Sequence, residues 1–187
     1  GGARATDPRW KPAGSAGGLR AGKASTYEGG MRVPGIFWQP GRIPAGRTEG
    51  TVASALDLLP TVAEMAGVKP PKGRVIDGRP LTGVLAGRPM PERLFCYYFG
   101  GQLQAVRRGR WKLVLKITEL PEKPPSLWYQ LQPELFERHY RLKAEPELYD
   151  LAADPGEKRN RAAAEPEIVR ELTAAAAAFD QGLKRGS

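Results

Sequence analysis

The sequence predicts a mixed α/β fold in two parts, residues 1–90 and residues 91–187. Three observations carry that expectation. An apolar run at Val33–Trp38 is followed by apolar residues at helical spacing from Ala53 to Ala66. After residue 93, four short apolar stretches read as strands, and the first three are set apart by Gly-Gly and Arg-Arg-Gly turns that suit hairpins. An alanine-rich stretch with one apolar face then closes the chain.

In chain order, residues 1–22 are glycine-rich with little apolar content and read as a loop. Val33–Trp38 reads as a buried strand, with Pro34 near its start where a missing N–H is tolerated. A helix is expected over about 57–66, capped by Ser54 or Asp57 and stopped by Gly67 and the two prolines Pro70 and Pro71; its apolar face would hold Ala53, Leu56, Leu59, Val62, Ala63 and Ala66. Residues 69–91, rich in Gly and Pro, read as a connection between the two parts. The expected strands are Leu94–Phe99, Gln102–Arg107, Trp111–Ile117 and Glu147–Leu151, forming an antiparallel sheet. Residues 118–145 form an excursion with a short helix near Glu134–Arg138. The closing helix has Pro166 in its first turn and one face made of Ile168, Val169, Leu172, Ala175, Ala176 and Phe179.

Composition narrows the function. The net charge of +9 is concentrated early, with eight Lys or Arg against three Asp or Glu in residues 1–50, so an anionic ligand is favoured. Nucleic acid is the weaker candidate, because Arg9, Lys11, Arg20 and Lys23 are not interleaved with a reading module. No apolar run reaches the roughly 18 residues that a membrane span needs. Cys96 is the only cysteine, so an intrachain disulfide and a cysteine-rich zinc site are both excluded. Its setting between Phe95 and Tyr97 is that of a small buried hydrophobe. His139 is the only histidine and lies in a charged stretch that reads as surface. Trp111 and Lys112 read as ordinary sheet positions with snorkelling basic neighbours.

One stretch points to a specific chemistry. In GLRAGKASTYEGGMRVPGIFWQP, residues 18–40, Lys23 follows Gly22 and lies five residues before Glu28. Glycines allow a sharp turn, and the ammonium can reach an oxyanion held nearby. Spacing alone favours a solvated loop lysine. This segment resembles the lysine motif of the formylglycine-dependent sulfatases, the arylsulfatase branch of the alkaline-phosphatase-like superfamily. Further stretches match in the same order: SALDLLPTVAEMAGVKPP at 54–71, DGRPL at 77–81, AVRRGRWKLV at 105–114 and ELYDLAADPGEKRN at 147–160.

The resemblance implies that residues 1–90 end an alkaline-phosphatase-like α/β domain and that 91–187 form a small subdomain of antiparallel sheet and terminal helix. It implies that Lys23 contacts the sulfate oxygens of a sulfated small molecule or sulfated carbohydrate and stabilises the charge that builds during transfer. Glu28 and Arg32 are then expected to hold the motif, by pairing with each other or with the backbone. The family's formylglycine nucleophile and calcium ligands match no residue here: Cys96 lacks the proline and arginine that follow the nucleophile, and Asp7 is the one carboxylate before Lys23. The chain is thus expected to be an inactive C-terminal piece, with the metal ligands upstream of Gly1 and an exported parent. A phosphoesterase or phosphonate hydrolase of the same superfamily, and a non-catalytic basic module binding sulfated polysaccharide or nucleic acid, are the alternatives.

Overall fold

The computed structural model describes residues 15–185 apart from 24, 70, 71, 74, 100 and 120–141. The expected Glu134–Arg138 helix and His139 lie outside the described residues. Contacts divide the chain into two units, one drawn from Gly1–Val33 and Arg93–Ser187, the other Pro34–Glu92. The second boundary lies between Glu92 and Arg93. The lysine-bearing loop, however, groups with the sheet and not with the segment that follows it in sequence.

The first unit is built on a four-stranded antiparallel sheet, β1 (Leu94–Phe99), β2 (Gln102–Arg108), β3 (Trp111–Val114) and β4 (Glu147–Asp150), in the order β1-β2-β3-β4. Register runs from Leu94 opposite Arg108, through Arg108 opposite Trp111, to Trp111 opposite Asp150, with a shift between Tyr97 and Tyr98. Strand β3 ends at Val114, earlier than expected, and Ile117 instead makes an isolated bridge to Lys143.

Period-2 alternation gives the sheet two different faces. On one face Val106, Leu113 and Leu148 pack with Leu172 and Ala176 of the closing helix, Pro166–Arg185, while Leu94, Cys96, Ile168 and Val169 border the cluster. On the other face Ala105, Val114, Tyr149 and Leu151 pack with Tyr27 and Tyr97. The helix face matches expectation except at its end, where Phe179 is exposed.

Pro34–Glu92 contains a 3-10 turn at Ala55–Asp57 and helices at Leu58–Met65 and Thr82–Leu85. Ser54 caps the turn: its hydroxyl accepts from Leu56 N–H (3.3 Å), and Asp57 Oδ2 accepts from Ser54 N–H (2.8 Å). The buried Asp57 also accepts from Arg79 N–H through Oδ1 (2.8 Å), and Thr61 Oγ1 accepts from Leu81 N–H (2.9 Å). These bonds strap the DGRPL segment along the helix start. Gly78 is required there, because a Cβ at that position would lie 1.9 Å from the Leu56 carbonyl oxygen.

Two expectations fail in this unit. Val33–Trp38 forms no strand, and Val33, Ile36 and Trp38 are exposed. An apolar run becomes a strand only where neighbouring strands satisfy its N–H and C=O groups, and none of the described residues supplies them. Most of the predicted apolar face of the Leu58–Met65 helix is also outward, with Leu56, Leu59 and Val62 exposed; of that face Ala63 is buried, together with Pro60 and Thr61.

Candidate functional site

The lysine motif folds as a tight loop closed by a four-residue helix, Glu28–Met31. Lys23 sits exposed at a turn, one residue after the buried Gly22. Gly29 N–H donates to the Arg20 carbonyl (2.8 Å), and the Ser25 hydroxyl donates to the Gly22 carbonyl (2.9 Å). Glycine is poor helix material, but here the backbone leaves no alternative. A Cβ on Gly30 would lie 2.2 Å from the Ser25 carbonyl oxygen, and one on Gly29 2.5 Å from the Ala21 carbonyl oxygen.

The loop lies over the sheet face opposite the closing helix, fixed there by charge. Glu28, only 2% exposed, receives Lys112 Nζ at 2.9 Å on Oε1 and Arg107 Nη1 at 3.4 Å on Oε2. Lys112, with none of its side chain exposed, also lies 3.0 Å from Glu157 Oε1 and 5.0 Å from the centre of the Tyr97 ring. Glu157 Oε1 is poorly aimed for a hydrogen bond, so that contact is chiefly coulombic. Glu157 Oε2 instead accepts the Glu28 N–H (2.7 Å) at the start of the short helix. Burial raises the Glu157 carboxyl, outweighing the pull of Lys112, and burial followed by the Glu28 charge pushes the Tyr97 phenol up to about 12.

A second cluster holds the loop's other end. The Arg20 guanidinium lies 3.9 Å over the Tyr27 ring and donates to Tyr149 Oη (2.5 Å), Glu147 Oε2 (3.3 Å) and the Glu157 carbonyl (3.2 Å). Tyr27 and Tyr149 both donate to Glu147 Oε2 (2.9 Å each), and Lys143 Nζ lies 2.7 Å from Oε1. Burial alone would raise the Glu147 carboxyl, but the bonds from Lys143, Tyr27 and Tyr149 outweigh it and hold the group below its usual range.

Of the two expected forms, Glu28 and Arg32 therefore do not pair side chain to side chain and are joined instead through the backbone. The Glu28 carboxylate is committed to Lys112 and Arg107, while Arg32 is exposed and donates its backbone N–H to the Glu28 carbonyl (2.8 Å). Lys112 is a sheet position, as the sequence predicts, but a fully buried and ion-paired one. Alternation places it on the sheet face away from the helix, and that face is covered by the lysine loop and by Glu157. The ELYDLAADPGEKRN segment supplies this cover through a side-chain-bonded turn. Asp154 Oδ2 accepts from the N–H groups of Lys158 and Arg159 (2.8 and 2.7 Å), and Asn160 Oδ1 accepts from those of Leu148 and Ala162 (3.0 and 2.9 Å).

The arrangement presents one exposed ammonium on a loop whose backbone is pinned at both ends, a form suited to holding an oxyanion. Among the described residues no group of three or more His, Cys, Asp or Glu side chains is placed to hold a metal ion. No described helix is long and apolar enough to cross a membrane.

The chain is similar to known proteins. Residues 90–187 match the family described as the C-terminal region of aryl-sulfatase. The chain is 36% identical to mouse (Mus musculus) N-acetylgalactosamine-6-sulfatase over 154 residues, covering 78% of this chain and 29% of that protein. It is 37% identical to mouse steryl-sulfatase over 187 aligned residues, covering 91% of this chain and 29% of the relative. The chain thus spans under a third of the length of these relatives. Among solved structures, a sulfatase from Pseudoalteromonas sp. superposes with a TM-score of 0.68 at 22% identity, over 89% of this chain and 33% of that one, which supports the fold. With more than half of its length matched by the family and its sheet, closing helix and lysine loop in place, the chain belongs to the sulfatases and carries their C-terminal region.

Proposed function

We propose that the protein carrying this chain hydrolyses sulfate esters and that Lys23 contacts the sulfate oxygens in that reaction. The observation that carries the reading is the exposed Lys23 on a loop locked by Glu28 to a buried ion cluster. A sulfuryl group moving from an alcohol spreads negative charge over its oxygens, and a fixed cation stabilises that charge more in the transition state than in the ground state. Relatives named for an N-acetylgalactosamine sulfate and for steryl sulfates support the class of a sulfated carbohydrate or sulfated small molecule. The formylglycine nucleophile, a calcium ion and export of the parent belong to this reading, with nucleophile and metal ligands supplied from outside these residues. The apolar surface of Pro34–Glu92 fits it as well: Ile36 is 93% and Trp38 83% exposed, as expected of half of a larger α/β core and not of a stand-alone basic module.

The test is sulfate release from 4-nitrophenyl sulfate by the full-length protein and its Lys23→Ala variant. A loss in kcat of about 100-fold or more is expected, the scale of removing one preorganised charge-stabilising donor. Turnover of a phosphate ester in place of the sulfate ester, or unchanged kcat in the variant, would overturn the reading.

A further inference from the structure

We infer that Lys112 and Glu157, which lie more than eighty residues beyond Lys23, are positioning residues that set where Lys23 stands. The inference rests on the sulfatase reading above. The described residues of 15–27 hold no regular element, so side-chain bonds do much to set the path of that segment. The Lys112 ammonium joins carboxylates from two separate segments, Glu28 at 2.9 Å and Glu157 at 3.0 Å, with all three side chains at most 2% exposed.

Glu157 grips the loop twice. Its carboxylate takes the Glu28 N–H, five residues after Lys23, and its carbonyl takes Arg20, three residues before it. It does so with a left-handed backbone, φ +52°, which is costly for a residue with a side chain and persists where the surroundings impose it. Steric closure by Gly29 and Gly30 then leaves the turn that carries Lys23 little room to shift.

A buried ion cluster is a poor device for stability alone, since apolar residues of the same volume often serve better; what it adds is a directional choice of register. Transition-state stabilisation needs that, because a displacement of about 1 Å can cost about 100-fold in rate.

The experiment is a double-mutant cycle in the full-length protein with 4-nitrophenyl sulfate as the probe. Glu157→Gln keeps the shape of the side chain and an acceptor for the Glu28 N–H while removing the charge. It is expected to lower kcat roughly 10-fold with KM changed less than about threefold, a fraction of the displacement cost. In a Lys23→Ala background the same change should lower kcat less than about twofold, because residues acting through one group are non-additive. Lys112→Arg should retain more kcat than Lys112→Met. If Lys112→Met is recovered unfolded, Glu157→Gln decides the question. Equal losses in both backgrounds, or wild-type kcat in Glu157→Gln, would overturn the assignment. An unchanged kcat in Lys23→Ala alone would instead remove the sulfatase role of Lys23 itself.

Discussion

Dehydrating an ammonium costs several kcal/mol, so a lysine with no exposed side-chain surface must recover that energy from its partners. Lys112 does so with Glu28 and Glu157, and removing it leaves two carboxylates buried together. Lys112→Ala is therefore expected to destabilise the protein by about 3–5 kcal/mol, read from denaturant unfolding. Glu147 gives a pH-dependent counterpart. Its carboxyl is held below the ordinary glutamate value in the folded state, so its contribution to stability is present above that value and is lost as pH falls through the lowered one. Replacing it by Gln should flatten the acid limb of the stability profile below about pH 4.5, measured by urea melts across pH. Cys96, packed beside the helix cluster, has its thiol pushed up to about 11 by burial and then by Asp180. Iodoacetamide should modify it far more slowly at pH 8 than it modifies a free thiol. At this scale the sequence pointed to Lys23 and Glu28 but not to Lys112, Glu157 or Arg20. Alternation tells which face of a strand a residue occupies; it does not tell what covers that face.

Elements were legible wherever their signals were local. The strands, the closing helix and the Ser54 cap all follow from spacing, turn residues and a hydroxyl ahead of an acidic residue, and each formed within a few residues of its expected bounds. Ser54→Ala should cost about 1 kcal/mol, checked by thermal unfolding. Gly78→Ala should cost more, about 3 kcal/mol, because its Cβ meets a backbone carbonyl that cannot move away alone. Val33–Trp38 shows the opposite case. Its apolar run has the composition of a buried strand, but a strand is a relation between segments, and these residues carry half of it.

At the scale of the whole chain, Pro34–Glu92 leaves Ile36, Trp38, Leu56, Val62 and Val75 exposed, more apolar surface than an independent module of this size would keep. The 187-residue chain on its own is expected to bind a hydrophobic-surface dye and to self-associate in sizing chromatography. A monomer that melts cooperatively without dye binding would contradict this. By itself the sequence determined the family and the strand and helix segments, because periodicity, turn residues and ordered motifs are local in the chain. Only the tertiary structure decided that residues 15–33 belong with a sheet about eighty residues downstream and that Lys112, Glu157 and Arg20 hold them there. Burial and ion pairing depend on which distant segments meet, and that is a property of the folded chain.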